Sequence, residues 1–284
     1  MIERRPIAKF LSHVILLLGV AIVAFPLYLA IVASTQSSDQ IAQANPLSLI
    51  PGSHALQTYR IALFGGDNTR GGSFPPALPM MWVSLVCALM IAVGKIAISL
   101  LSAFAIVYFR FPAKTLVFWM IFVTLMLPVE VRIGPTYAVV SELGLLNSYA
   151  GLTIPLIASA TATFLFRQFF LTVPDELVEA ARMDGASPMR FFWDVLLPLS
   201  KTSIAALFVI QFIYGWNQYL WPLLVTTNEN MYPVVLGIKR LIAGEAYTEW
   251  NVVMATAILA MLPPALVVVL MQKWFVKGLV DTEK

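Results

Sequence analysis

The chain has 284 residues, of which 60% are hydrophobic and 12% are charged, and its formal net charge is +3. A soluble domain carries about 25% charged residues, so this chain holds too few charges to cover a water-soluble globule of its size. The surplus apolar surface requires lipid, and the small net charge argues against a nucleic-acid-binding protein. The single cysteine, Cys87, excludes an intrachain disulfide and a thiolate metal cluster.

Six stretches are long and apolar enough to cross about 30 Å of hydrocarbon. The sequence therefore predicts an all-α polytopic membrane protein with six transmembrane helices, forming a single domain over residues 1–284. The first stretch is longer than the apolar core of a signal peptide, so we predict that it is retained as a span. The predicted bounds are Phe10–Ala33, Met81–Val107, Thr115–Val139, Ala150–Phe170, Ile204–Val225 and Val252–Phe275.

The distribution of basic residues predicts the orientation of the spans. Lysine and arginine are concentrated in the two termini and in the loops after the second and fourth spans, whereas the remaining loops hold only Arg60, Arg70, Lys239 and Arg240. Cytoplasmic loops carry the excess, so both termini are predicted to be cytoplasmic. The long loop 34–80 is then external. Its turn-rich sequence predicts irregular structure with a short helix before the second span.

The loop of residues 172–200, between the fourth and fifth spans, is predicted to form a helix, a turn and a second helix. Gly185 suits the end of the first helix, because glycine adopts left-handed dihedral angles without penalty. Ser187 is a candidate N-cap of the second helix, and Pro188 suits its first turn. Pro198 is predicted to end that helix just before the fifth span.

The first helix of this loop is about ten residues long and would be marginal alone in water, so other contacts must hold it. Ala180 and Ala181 give it a smooth face, which predicts the close approach of another protein. From composition alone, two interpretations remain open. The helix is either a lever that transmits force from a cytosolic partner or an interfacial amphipathic segment without a partner.

The spacing of particular residues in this loop resembles the EAA motif of ABC importer permeases, EAA-x3-G-x9-I-x-LP, with Val195 in place of the usual isoleucine. We call residues 172–200 the EAA loop. The resemblance implies an ABC type I importer permease fold, in which a cytoplasmic coupling helix docks in a groove of the ATPase. The residues to which it assigns ATPase coupling are Glu179, Ala180, Ala181, Asp184, Gly185, Leu197 and Pro198.

Other runs, such as LMLPVEVRIGPTY and YGWNQYLWPLL, resemble the carbohydrate-uptake permeases of the maltose-importer type. The run TLMLPVEVRI together with ATATFLFRQFF most resembles the second permease subunit of sn-glycerol-3-phosphate importers. This implies an inner-membrane heterodimer with a second homologous permease, two ATP-binding subunits and an external solute-binding protein. The implied substrate is sn-glycerol-3-phosphate or a glycerophosphodiester, moved by alternating access, and a neutral sugar or oligosaccharide is the alternative.

The sequence contains no G-x-x-x-x-G-K-[ST] loop to hold nucleotide phosphates. We therefore expect a non-catalytic permease that binds no cofactor, while ATP and Mg²⁺ are used by the partner ATPase. The chain ends in GLVDTEK, where the family often has a glycine-rich tail that reaches the ATPase pair. That departure leaves a tail contact open.

Polar residues within the predicted spans are the candidate substrate path, because ionisable groups at membrane depth are costly. At 1.5 Å per residue, Lys95, Glu130 and Asn217 lie at similar depths, and Arg132 and Gln218 lie beside them. Arg132 is the best candidate partner for a phosphate, because a guanidinium group matches phosphate oxygens. The alternative is a structural Lys95–Glu130 ion pair, with Arg132 reaching the outer headgroups.

Helix-breaking residues flank these polar groups. Pro128 and Pro135 are predicted to interrupt the third span, and Gly215 and Pro222 the fifth. Broken helices are tolerated where they face protein or a water-filled cavity, which favours a transport path. An ion-coupled secondary carrier that uses Glu130, or a purely structural scaffold, would also fit this layer. Neither alternative accounts for the EAA loop.

Overall fold

A computed structural model describes residues 6–43, 48–67, 73–124, 129–243 and 248–280. Most of these residues lie in helices, and the described part contains one pair of two-residue strands, so the predicted all-α class is confirmed. The helices are α1 Pro6–Thr35, α2 Ser38–Gln43, α3 Ala55–Phe64, α4 Ala77–Tyr108, α5 Lys114–Val123, α6 Val129–Glu142, α7 Tyr149–Ile157, α8 Ala160–Phe170, α9 Asp175–Met183, α10 Pro188–Phe191, α11 Leu197–Leu199, α12 Lys201–Trp216, α13 Leu220–Val225, α14 Val234–Ala243 and α15 Trp250–Val280. The strands are β1 Gly66–Asp67 and β2 Ser73–Phe74, a π turn covers Phe192–Leu196, and a 3-10 turn covers Glu229–Met231.

Three of the described helices, α1, α4 and α15, are each long and apolar enough to cross a membrane alone. The pair α7–α8 also qualifies as one span bent by 45°, and the segment Pro188–Leu199 with α12 qualifies as a pair bent by 73°. The predicted third span is divided between α5 and α6. Pro135 lies inside α6, whereas Pro128 lies outside the described residues. By length and composition these helices give three to five spans, so the number six stays a prediction.

The break in the predicted fourth span comes from two residues that look unremarkable in sequence. Ala158 has an extended conformation with ψ of 127° and ends α7. The Ser159 hydroxyl then accepts a hydrogen bond from the Ala162 amide at 3.3 Å and caps α8. A serine N-cap satisfies one of the free amides of a new helix, so the chain restarts here inside an apolar run.

The predicted break at Gly215 is wrong, because Gly215 lies inside α12. A Cβ atom at Gly215 would lie 2.8 Å from the Ala88 Cα, so the glycine permits close contact between α12 and α4. The predicted break at Pro222 is displaced towards its N-terminal side, since α12 ends at residue 216 and α13 starts at residue 220. Pro222 has no N–H to donate to the Gln218 carbonyl, so the helix cannot continue regularly through it.

The described residues form two compact units, Met1–Leu78 with Gly237–Met261, and Pro79–Leu236 with Leu262–Lys284. Each is described separately. The prediction of a single permease domain over residues 1–284 stays a prediction.

In the first unit, the loop between α1 and α4 has more structure than the sequence predicts. It contains α2, α3 and the β1–β2 hairpin rather than one short helix in an irregular segment. Gly65 ends α3 with a φ of 78°, and a Cβ there would lie 2.7 Å from the Phe74 carbonyl oxygen. The Ser38 hydroxyl donates to the Asn251 side chain at 2.8 Å, and Asn251 donates to Thr58 at 3.4 Å. These bonds fasten the loop to the first turn of α15.

The second unit is built around buried residues of α4, α8, the EAA loop and α12, many of them phenylalanines. A separate contact fixes α13 against α7, where the buried Trp221 indole donates to the Gly151 carbonyl at 3.0 Å. A Cβ at Gly151 would collide with the Leu145 carbonyl oxygen, so this glycine is required by the close approach of the chain. We call the larger cluster the aromatic core: Ile96, Leu100, Ala103, Phe104, Ala162, Phe166, Phe170, Phe191, Phe192, Leu196 and Leu207.

Candidate functional site

The first helix of the EAA loop, α9, ends as predicted at Gly185. Gly185 has a φ of 72°, and its amide donates to the Arg182 carbonyl at 3.1 Å. The Ala186 amide donates to the Ala181 carbonyl at 2.9 Å. This pair of bonds is a Schellman motif, which satisfies two of the free carbonyls at the helix end. Asp184 occupies the C-cap position. A residue with a Cβ at position 185 would be strained in this turn.

The start of the second helix also confirms the sequence prediction. The Ser187 hydroxyl accepts a hydrogen bond from the Arg190 amide at 3.3 Å, and Pro188 occupies the first turn. The Arg190 side chain donates in turn to Asp194 at 3.3 Å, four residues further along. The turn between α9 and α10 is therefore defined by local hydrogen bonds alone.

One face of α9 packs on this chain and the other face is exposed. Val178 and Ala181 are half-buried and pack against the aromatic core. Glu179, Ala180 and Met183 are exposed. The prediction that both alanines form a free smooth face is therefore wrong for one of them. Neighbouring residues on a helix are about 100° apart, so Ala181 points inward when Ala180 points outward.

The end of the EAA loop contains a π turn. The Leu197 amide donates to the Phe192 carbonyl, five residues earlier, and residues Phe192–Leu196 adopt the π conformation. Pro198 lies inside the short helix α11, and the change of direction comes two residues later at Ser200. The predicted break at Pro198 is thus displaced. Pro198 cannot donate a hydrogen bond back along the helix, which favours the wider turn just before it.

Pro198 and Leu199 are exposed at the end of this loop, whereas Leu197 and Val195 are half-buried against the aromatic core. The Ser200 hydroxyl is fully buried and donates to the Leu196 carbonyl at 2.6 Å. Of the residues that the motif resemblance singles out, Ala181 and Leu197 join the loop to the membrane part. Glu179, Ala180 and Gly185 remain on the outside.

A second candidate site surrounds Lys95 in α4. Lys95 is 94% buried, being only 6% exposed, and its Nζ lies 3.7 Å from the centroid of the Tyr214 ring in α12. The predicted partner Glu130 has its backbone in α6, but its side chain lies outside the described residues. The Lys95–Glu130 pair therefore stays a prediction. The contact with Tyr214 confirms that α4 and α12 bring residues 95 and 214 to the same depth.

The other predicted polar residues flank this contact. Tyr214 and Asn217 are exposed and lie three residues apart, hence on one face of the helix. The Gln218 side chain donates to the Tyr214 carbonyl at 3.0 Å. Arg132 in α6 is exposed, and its positive charge repels that of Lys95. Tyr214 is the residue that sequence reasoning missed, although its spacing from Asn217 was a usable signal.

The part of the chain that the structure describes has no group of three His, Cys, Asp or Glu residues that could hold a metal ion. Cys87 is buried in α4 beside Val83 and Val140. The two sites above therefore offer a protein-docking face and a cationic pocket.

Comparison with known proteins places this geometry in a family. Residues 95–281 match the family described as "Binding-protein-dependent transport system inner membrane component". The "sn-glycerol-3-phosphate transport system permease protein UgpE" of Brucella melitensis is 62% identical over 286 residues, covering all of both chains. The proteins of the same name from Pectobacterium atrosepticum and Agrobacterium fabrum are 61% and 60% identical, again over both full lengths.

A solved bacterial ABC transporter involved in the import of the acidic polysaccharide alginate has the same fold. It superposes with a TM-score of 0.76, covers 97% of this chain and 99% of its own, and is 22% identical in sequence. The fold and the EAA loop thus define a polytopic, non-catalytic membrane permease of the ABC importer class. Within that class, the chain belongs to the family of binding-protein-dependent inner-membrane transport components.

Proposed function

We propose that this chain is one permease subunit of an importer for sn-glycerol-3-phosphate or related glycerophosphodiesters. The observation that carries the proposal is full-length similarity to relatives that have this substrate in their names, at up to 62% identity. The site adds physical support, because Lys95 and Arg132 place two cations in one part of the membrane fold. A phosphate ester neutralises them, whereas a neutral sugar gives them no counter-charge.

The family requires an ATPase and a binding protein as parts of the same system. The finer assembly proposed here has a second homologous permease, two ATP-binding subunits and one external solute-binding protein. ATP and Mg²⁺ belong to the ATP-binding subunits, and this chain contributes no cofactor. It supplies half of the path through the membrane.

The proposed topology has six spans with both termini in the cytoplasm. The spans are α1, α4, α5–α6, α7–α8, α12–α13 and α15, where each divided span is a broken helix. Basic residues on the side of Arg110, Lys114 and Lys201 support this orientation. The EAA loop is then cytoplasmic, and loop 34–80 faces the binding protein.

In the proposed mechanism, α9 couples the ATPase to the membrane helices. Its exposed face, with Glu179, Ala180 and Met183, fits a groove of the ATPase. Its inner face, with Val178 and Ala181, rests on the aromatic core. That core includes residues of α4, α8 and α12, so displacement of α9 moves the spans rather than a flexible loop. Closed interiors of this kind transmit displacement because they are densely packed.

ATP binding closes the partner subunits, and the resulting movement switches the paired permeases between inward-open and outward-open states. The proposed substrate path contains Lys95, Glu130, Arg132, Asn217 and Gln218. The exposed Arg132 and Asn217 are the first groups that a substrate would meet. In this role the Arg132 guanidinium donates paired hydrogen bonds to phosphate oxygens.

The proposal is tested with the complete importer reconstituted in proteoliposomes that contain ATP. Saturable uptake of sn-glycerol-3-phosphate is expected, with little uptake of a neutral disaccharide. Arg132→Ala is expected to lower uptake by about tenfold or more, the equivalent of one lost charged hydrogen bond. Arg132→Lys keeps the charge without the fork and should fall between the two.

Assembly of each variant is checked by co-purification of all subunits. Uptake of the disaccharide in place of the phosphate ester would contradict the proposed substrate. Wild-type uptake by Arg132→Ala would remove Arg132 from the path while leaving the substrate assignment intact.

A further inference from the structure

Lys95 is an ammonium group buried at membrane depth without a carboxylate partner among the described residues. Its Nζ instead lies 3.7 Å above the centre of the Tyr214 ring. An ammonium group in this position is costly, and an aromatic face offsets only part of the cost. The arrangement therefore leaves positive charge available to an anion.

The neighbouring groups increase this excess of positive charge. Arg132 repels Lys95 rather than neutralising it. Tyr214 and Asn217 are exposed on the same face of α12, so the ring that holds the Lys95 ammonium borders an open polar surface. A structural ion pair would bring opposite charges together, whereas here two cations of different helices face the same region.

We propose that Lys95 is a phosphate-binding residue that rests on the Tyr214 ring in the empty permease and moves to the substrate phosphate when it enters. The ligand class is a phosphate monoester dianion, held jointly by Lys95 and Arg132. This inference rests on the function proposed above and adds to it a second phosphate ligand and the residue that holds that ligand at rest.

The relative strengths of the two contacts make this exchange selective for charge. A hydrogen bond between an ammonium group and a phosphate oxygen in a low dielectric is stronger than a cation–π contact. A neutral hydroxyl is a weaker acceptor and does not draw the ammonium from the ring. Lys95 thus responds to the charged part of the substrate, and Tyr214 sets the strength that the ligand must exceed.

The experiment uses the complete reconstituted importer and measures substrate transported per ATP hydrolysed. Lys95→Met replaces the ammonium by an apolar chain of similar size, so the fold is retained. It is expected to lower the transport of sn-glycerol-3-phosphate per ATP by about tenfold or more, while the loaded binding protein still stimulates hydrolysis. Lys95→Arg should recover much of the transport, and Lys273→Met, which removes an exposed lysine of α15, should behave as wild type.

Tyr214 supplies an independent measurement. Tyr214→Leu removes the resting partner and destabilises the empty site relative to the occupied one. Inorganic phosphate or sn-glycerol-3-phosphate inside the proteoliposomes should therefore inhibit uptake at several-fold lower concentration. Tyr214→Phe keeps the ring face and should match wild type, and glycerol inside the vesicles should have no effect on any variant.

Wild-type transport per ATP in Lys95→Met would overturn the inference, as would equal loss in Lys95→Arg and Lys95→Met. So would identical inhibition of the Leu and Phe variants at position 214. Failure of the wild-type importer to take up any phosphate ester would instead contradict the proposed function itself, and this inference with it. The two failures are therefore distinguishable.

Discussion

The EAA loop and the region around Lys95 are built in different ways. In the EAA loop, the ends of both helices are fixed by residues within five positions of each other, such as Gly185, Ala186 and Ser187. Around Lys95, the contacts join helices that are distant in sequence, with Tyr214 more than a hundred residues away. A part that must keep its shape while it moves is locally determined. A part that must bind a ligand depends on how the spans pack.

The largest expected effect comes from filling the outer face of the EAA loop. Ala180→Trp places a bulky side chain where Ala180 is exposed, so the fold of this chain is preserved. The variant should lower ATP-driven uptake by about 30-fold or more, the equivalent of about 2 kcal/mol at a docking surface.

The measurement for Ala180→Trp is uptake in proteoliposomes together with co-purification of the ATPase. Ala42→Trp, exposed on α2 in the other unit, is the control for bulk alone and should transport normally. Full uptake by Ala180→Trp would show that α9 does not dock through this face.

An intermediate effect is expected where the second region depends on helix packing. Gly215→Ala puts a Cβ 2.8 Å from the Ala88 Cα, so α12 and α4 must separate. We expect a loss of about 1–3 kcal/mol in stability, measured by thermal unfolding in detergent. The same separation moves Tyr214 away from Lys95, so uptake should fall as well.

Gly134→Ala is the matched control, because a Cβ there meets nothing within 4 Å. It should leave both melting temperature and uptake unchanged or slightly raised, as alanine favours a helix. Equal behaviour of the two variants would mean that the close approach of α4 and α12 is unimportant.

The smallest expected effect distinguishes local strain from coupling. Gly185 and Gly144 have φ angles of 72° and 66°, and a Cβ at either one meets nothing within 4 Å. Alanine at either site should therefore cost about 1 kcal/mol from backbone strain alone, seen as equal small decreases in melting temperature.

Uptake per ATP should fall only in Gly185→Ala, because its turn fixes the end of α9. If Gly144→Ala lowers this ratio equally, the turn at Gly185 has no special part in coupling.

The sequence was most informative where structure follows from neighbouring residues. The Gly185 turn, the Ser187 cap and the position of Pro188 are all present as predicted. The inward direction of Ala181 was missed, because a short alanine pair does not reveal which side the aromatic core will occupy. The shift of the bend from Pro198 to Ser200 reflects a π turn that has no distinct local pattern.

In the membrane part, the sequence located the depth of Lys95 but not its partner. A tyrosine in an apolar span resembles an interfacial anchor, and only the packing of α4 on α12 gives Tyr214 its contact. The restart at Ser159 was missed for a similar reason, since a serine in an apolar run gives no sign that it will cap a helix. The short hairpin at Gly66 was hidden within turn-rich sequence.

The π turn at Phe192–Leu196 has a consequence for the tolerance of this segment to change in length. A π turn spaces its hydrogen-bonded residues one position wider than an α-helix does, so it stores one residue of surplus chain. Deleting one residue there would restore α-helical winding but rotate everything beyond it by about 100°. The segment tolerates exchange of side chains far better than loss of one, because the surplus residue sets the angular register between the motor-facing helix and α12.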